Sequence, residues 1–271
     1  MKDNQKSTQI KFQNRDMAWP ITADMLLPPD RTSSDSYPLV ISVHSGCCSE
    51  QESAQRRICE TDLAWEGFAV ISYNTAQKNE SNDTCARQTE DPYQCVREIS
   101  FLIDYAVTLP SVDHNRIGIV GEGAAGGYAV NAALTDKRIK AVAVVTPLNA
   151  GRIMRDAFAK AGADSAGASS KYSQSAVVWD AFSCGEMLLR QPILVAVGEK
   201  TNQSGSYDDG MKIYGRAVAS KQRHLVSLDN VSDQDLFANK EAVKLALERV
   251  GAFFKNHLGE KIVGDRCCIV C

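Results

Sequence analysis

No stretch of this sequence is apolar for long enough to cross a bilayer, and its first residues, Met1 to Thr8, are polar where a secretion signal needs an apolar core. A membrane span is not expected, and the chain reads as cytoplasmic. A basic block is missing too: 30 Lys+Arg stand against 33 Asp+Glu, a formal net charge of -3. The electrostatic footprint that nucleic acid requires is therefore absent, and nucleic acid is not an expected partner. Cysteine is present, but its count of nine is odd and its spacing lacks the pairs of a metal site. Reduced thiols fit this usage better than a disulfide frame, and neither a metal nor a cofactor is expected. No internal repeat is visible.

What is present is an alternation of strand and helix. At 271 residues the chain has the length of one α/β domain. Residues 9–13 and 21–27 read as an opening hairpin, ended by Pro28 and Pro29. Residues 37–44 form a nearly continuous apolar run that suits a strand buried on both faces. A helix over 53–66 stops at Gly67, and 68–73 is the next strand. Asp91 as cap and Pro92 at the first position open a helix whose inner face carries Val96, Ile99, Leu102, Ile103 and Ala106. Further strands are predicted at 141–146, 192–198 and 224–228, with a helix over 207–220 and a loop over 230–237. The last helix sets Val243, Ala246, Leu247, Val250, Phe253, Phe254 and Leu258 on one face and ends at Gly259.

This order predicts an α/β fold, a mostly parallel central sheet with helices on both faces. Residues 1–258 form a single domain, and 259–271 a Cys-rich tail. Within the domain, 149–190 departs from the rhythm and is rich in Gly, Ala and Ser over 162–170. It reads as a short cap insertion over the pocket or as a surface excursion without function.

The chain is organised around Arg116-Ile-Gly-Ile-Val-Gly-Glu-Gly-Ala-Ala-Gly-Gly-Tyr-Ala129. A short apolar strand, a turn that only small residues permit and a helix follow one another here. That is the plan of the nucleophile elbow of α/β-hydrolases, in which Gly-x-nucleophile-x-Gly lifts a Ser or Cys clear of the sheet. The nucleophile position falls on Gly123, which has no side chain.

Several stretches in order extend the likeness. They are Tyr37-Pro-Leu-Val-Ile-Ser-Val-His-Ser-Gly46, Glu66-Gly-Phe-Ala-Val70, the run from Asp104 to Gly118, Gly126-Gly-Tyr-Ala129, and Asp136-Lys-Arg-Ile-Lys-Ala-Val-Ala143. Over residues 10–258 the chain resembles the small dienelactone-hydrolase-related α/β-hydrolases of the acetyl-esterase-like kind. The resemblance implies the α/β-hydrolase fold. It puts the family's nucleophile at Gly123 and a neighbouring Ser of some members at Ala125. It also puts the general-base His at Asp233, within Ser232-Asp-Gln-Asp-Leu236, and the acid at Glu199. Covalent acyl transfer needs a hydroxyl or thiol and an imidazole beside it, and both positions are substituted. The oxyanion donors of such a site are backbone N–H groups, which survive side-chain loss; they correspond to Ala124 and to Gly46 and Cys47.

Other residues remain open to two readings. His44, at the mouth of the same site, is either a proton donor to a bound carbonyl or a strand-end histidine bonding its own loop. Glu122 is either a general base in a water-poor pocket or a carboxylate turned away toward a cation. Cys47 and Cys48 are either a displaced nucleophile or inert buried thiols. His114 in a turn, His224 at a strand start and His257 at a helix end read as structural. The final residues match a Cys-aliphatic-aliphatic-x box, so Cys268 would carry a lipid anchor in a eukaryotic host.

The expected function is that of a degenerate α/β-hydrolase. It would bind a small carbonyl-bearing metabolite, polyketide- or ester-like, or transform it by acid–base chemistry through Glu122, His44 or Asp233. The alternatives are an ester, thioester or lactone hydrolase with a displaced nucleophile and an inert binding protein. Association into a homodimer stays open.

Overall fold

The computed structural model describes residues 7–13, 15–16, 20–30, 35–45, 59–74, 90–161, 172–200 and 204–259. Eight strands form one sheet in the order β1-β2-β4-β3-β5-β6-β7-β8. They are β1 (Thr8–Gln13), β2 (Pro20–Leu26), β3 (Tyr37–His44), β4 (Ala69–Asn74), β5 (Val112–Glu122), β6 (Ile139–Val145), β7 (Ile193–Lys200) and β8 (Arg223–Ser232). The hairpin β1/β2 and the β2/β4 pair are antiparallel. Every pair from β4 through β8 is parallel.

Parallel strands need crossovers, and helices supply them on both faces. The first, α1, is helical over 59–65. It is followed by α2 (Pro92–Ala106), α3 (Ala124–Thr135), α4 (Ala150–Ala161), α5 (Gly185–Leu188), α6 (Ser206–Arg216), α7 (Asp235–Ala238) and α8 (Lys240–Leu258). The start of α2 is built as expected: the Asp91 side chain accepts the Tyr93 N–H, and Pro92 follows it. Side chains alternate across β3 and β5. Leu39, Ile41, Val43, Ile117 and Ile119 join one apolar cluster with α2 and α3. Val40 and Val120 join a second with α1 and α8. The two clusters sandwich the sheet.

Several boundaries differ from the sequence reading. His114 lies within β5 and not in a turn before it, since the 112–116 segment pairs with β3 ahead of a register shift. β8 runs on to Ser232 where a loop was expected, with Asn230 at φ 58, and α7 occupies the rest of that loop. Of residues 149–190, the described part holds α4, a 3₁₀ turn over Gln174–Val178 and α5. Met154, Tyr172, Ala176, Trp179 and Phe182 from this stretch are buried in the main cluster. No helix among the described residues is long and apolar enough to cross a membrane.

Candidate active site

The C-terminal ends of β3 and β5 lie side by side, with Val43 opposite Gly121. Here the chain turns from β5 into α3 through Gly123, whose φ of 57° and ψ of -128° few L-residues adopt. The turn is fixed from both sides: the Gly123 N–H donates to Val145 O at 3.1 Å, and its carbonyl accepts from Leu148 N at 2.8 Å. Flanking glycines are obligatory because a Cβ at Gly121 would stand 2.4 Å from Ala125 O, and one at Gly127 2.6 Å from Leu148 O. At Gly123 a Cβ would meet, among the described residues, only the Phe237 ring, at 3.9 Å. The strained turn of a nucleophile elbow is therefore intact, and the described residues leave room for its side chain.

Ala124 is buried in the first turn of α3, which has no side-chain cap. Its N–H belongs to the helix N-terminal donors that have no partner within the helix and favour a negatively charged oxygen. Gly46 and Cys47, the expected second source of such donors, lie outside the described residues, as do Cys48 and Cys268.

Asp233, in the position the resemblance gives to the base, is buried. Its Oδ2 accepts the Ser204 hydroxyl in a close contact and the Ser206 hydroxyl at 3.3 Å. Oδ1 accepts the Gln234 N–H at 2.8 Å. The carboxylate thus serves as an anchor that ties the β8–α7 connection to the chain following β7. Glu199 is exposed and accepts the Ser227 hydroxyl at 2.7 Å. The hydrogen bonds recorded for Asp233 and Glu199 do not join them.

His44 belongs to a different constellation. Ser42 and His44 share one face of β3, and Ser72 on β4 stands in register with Ser42. The His44 Nε2 is 2.9 Å from Ser42 Oγ and 2.9 Å from Glu60 Oε1, while Ser72 Oγ donates to the same oxygen at 2.6 Å. Nε2 is thus the ring nitrogen that meets the carboxylate, and Nδ1 is buried with no hydrogen-bond partner.

Glu122 is half-buried at the end of β5. Burial first, and then the charges of Glu122 and Glu60, push the Cys59 thiol well above its ordinary range. The structure thus gathers His44, Glu60, Cys59 and Glu122 at one end of the sheet and makes Cys59 a poor nucleophile. The other histidines are elsewhere. His114 is exposed on β5, and His224 and His257 stack with Phe253 between β8 and α8.

Sequence reasoning missed Glu60, Ser204 and Phe237. The signal for Glu60 was the pair of serines, Ser42 and Ser72, placed inside otherwise apolar strands. Polar groups there demand a buried partner. Ser204 and Phe237 carry no local signal, since their roles arise from contacts across the chain. Among the described residues no group of three or more His, Cys, Asp or Glu is arranged to hold a metal ion.

Comparison with known proteins agrees with this frame. The model of PET hydrolase-like proteins matches residues 26–163. The uncharacterized protein YcjY of Escherichia coli is 25% identical, over 88% of this chain and 94% of its own length. In structure, the hypothetical protein PA2218 from Pseudomonas aeruginosa superposes with a TM-score of 0.67 at 22% identity, over 93% of this chain and 94% of that one. A dienelactone hydrolase from Anabaena variabilis does so with a TM-score of 0.65 at 14% identity, over 93% and 98%. With an eight-stranded sheet, a glycine elbow at its centre and half of its length matched by one family, the chain belongs to the PET hydrolase-like proteins of the α/β-hydrolase group.

Proposed function

We propose that this protein binds a small carbonyl-bearing metabolite at the elbow, or transforms it by acid–base chemistry and not by covalent acyl transfer. The observation that carries this reading is the elbow itself: the turn at Gly123 is retained, and among the described residues only the Phe237 ring comes within 4 Å of where its side chain would begin. A carbonyl oxygen set against the Ala124 end of α3 meets helix N-terminal donors whether or not a nucleophile is present. Asp233 is engaged by Ser204, Ser206 and the Gln234 N–H, so it is a poor substitute for an imidazole that must take up and return a proton. The acid–base role falls to His44, buried with Nε2 on Glu60 and Nδ1 without a hydrogen-bond partner, or to Glu122, half-buried at the end of β5.

The test is turnover of activated esters, thioesters and lactones by the purified chain beside the double variant Gly123→Cys/Asp233→His. Silence of the native chain together with hydrolysis by the variant supports the reading. Hydrolysis by the native chain that is abolished by one thiol- or hydroxyl-directed label overturns it in favour of a displaced nucleophile. Binding of a carbonyl ligand that is unchanged, and never followed by chemistry, in His44→Ala and Glu122→Gln assigns the pocket to inert binding.

A further inference from the structure

We infer that the free edge of the sheet is a homodimer interface, in which β8 pairs antiparallel with β8 of a second copy about a two-fold axis at Val226. Among the described residues β8 ends the sheet, with β7 as its one neighbour in it. Its polarity can be read from a single bond: Ile193, opposite Arg223, donates its N–H to Gln222 O at 2.9 Å. In a parallel ladder the even-numbered residues of β8 therefore turn their N–H and C=O toward β7. Arg223, Leu225 and Ser227 turn theirs outward.

Exposed edges in monomers are blunted by proline, lysine, bulges or short length. The opposite edge, β1, is six residues long and carries Lys11. From Arg223 to Leu228, β8 has neither proline nor lysine and keeps one register with β7; the register shift and the left-handed Asn230 come only after it. Its centre is Leu225-Val-Ser-Leu228. Between it and α8 runs a groove of about 580 Å³ lined by His224, Val226, Leu228, Leu245, Arg249 and Ala252. Leu225 is 37% and Leu245 41% exposed, high for aliphatic side chains beside an open edge.

The occupant is a second copy because the strand is complementary to itself. With Val226 on the axis, Leu225 faces the second copy's Ser227, and their outward N–H and C=O groups exchange hydrogen bonds twice across the pair. Arg223, whose Nη1 donates to Tyr214 O at 3.1 Å with the guanidinium over that ring, then stands opposite the second copy's Asp229, and Asp229 opposite its Arg223, two symmetric pairs of opposite charge on the face away from α8. On the α8 face the two grooves meet and each α8 covers the other's Leu245. The inference does not depend on the carbonyl pocket.

Sedimentation velocity of the full chain tests it, with a dimer of twice 29.5 kDa expected at micromolar concentration. Arg223→Asp sets two like-charged pairs across the axis, as does Asp229→Arg. Each should weaken the dimer by about tenfold or more, and Arg223→Asp/Asp229→Arg together should restore it. Leu225→Pro removes an outward N–H while sparing the ladder to β7, so it should give a folded monomer. A native chain that stays monomeric up to about 100 μM overturns the inference, because an edge pairing of this kind would be populated well below that concentration. So does a dimer indifferent to the charge exchange. A monomer would also be the result if another segment of the chain or a different protein covered β8.

Discussion

At the scale of the residue, the elbow shows two kinds of glycine. Gly121 is required by contact, because a Cβ there would press on the backbone of Ala125 at 2.4 Å, and neither atom belongs to a flexible side chain. Among the described residues nothing crowds a side chain at Gly123, and the obstacle there is its φ of 57°. Gly121→Ala should therefore lose about 3 kcal/mol or more through overpacking. Gly123→Ser should lose about 1–2 kcal/mol through backbone strain. Urea unfolding of the two variants measures the difference, and equal losses would mean that the position above Gly123 is not open. The glycines were legible in the sequence as a cluster. Which of them was held by contact and which only by its dihedral angles was not, because that depends on Ala125, Leu148 and Phe237 arriving from other parts of the fold.

At the scale of elements, the strands from β3 to β7 were legible because burial on both faces makes each an apolar run, and α2 and α8 because one face of each is apolar. β8 was cut short in the reading because one side of an edge strand meets water. Asp229 and Asn230 then look like turn residues, and Asn230 does adopt φ 58 within the strand. The placement of α4 was less legible still. It is held by charge: Arg152 on α4 contacts both oxygens of Asp209 on α6, at 3.0 and 2.9 Å from Nε, and its Nη2 donates to Ser204 O at 2.7 Å. Asp209 is fully buried and also accepts the Asn149 N–H at 2.8 Å. A pair separated by 57 positions leaves no periodic trace in sequence. Through Ser204 this clamp reaches Asp233, so it joins α4 to both loops beside the elbow. Asp209→Ala leaves the Arg152 guanidinium without its buried partner and should cost about 3 kcal/mol, the lower part of the usual range because Arg152 keeps some water contact. Chemical denaturation checks the loss. Protease cleavage within α4, faster in the variant than in the native chain, would show that the helix has come loose and not only that the whole fold is weaker.

At the scale of the whole molecule, acid should act in two stages. Burial and then the neighbouring His224 lower the His257 pKa from its ordinary value near 6.5, so the folded chain prefers the neutral ring. The unfolded chain takes up that proton first. Stability therefore holds above about pH 6.5, declines as the pH falls through that value, and stops declining below the folded pKa. A second loss belongs to Asp113 and Asp136. Burial alone would raise these carboxyls, but hydrogen bonds from Arg116 and Arg138 bring both below the ordinary carboxylate range. Their contribution is present above about pH 4 and is lost as the pH drops through the folded values. Urea midpoints from pH 8 to pH 3 should show both declines, and His257→Gln should flatten the upper one while leaving the lower one in place. His224 and His257 both line the groove between β8 and α8. Loss of the upper decline in His257→Gln with no change in the lower one would trace it to this ring pair. An unchanged profile would mean that His257 titrates alike in the folded and unfolded chain.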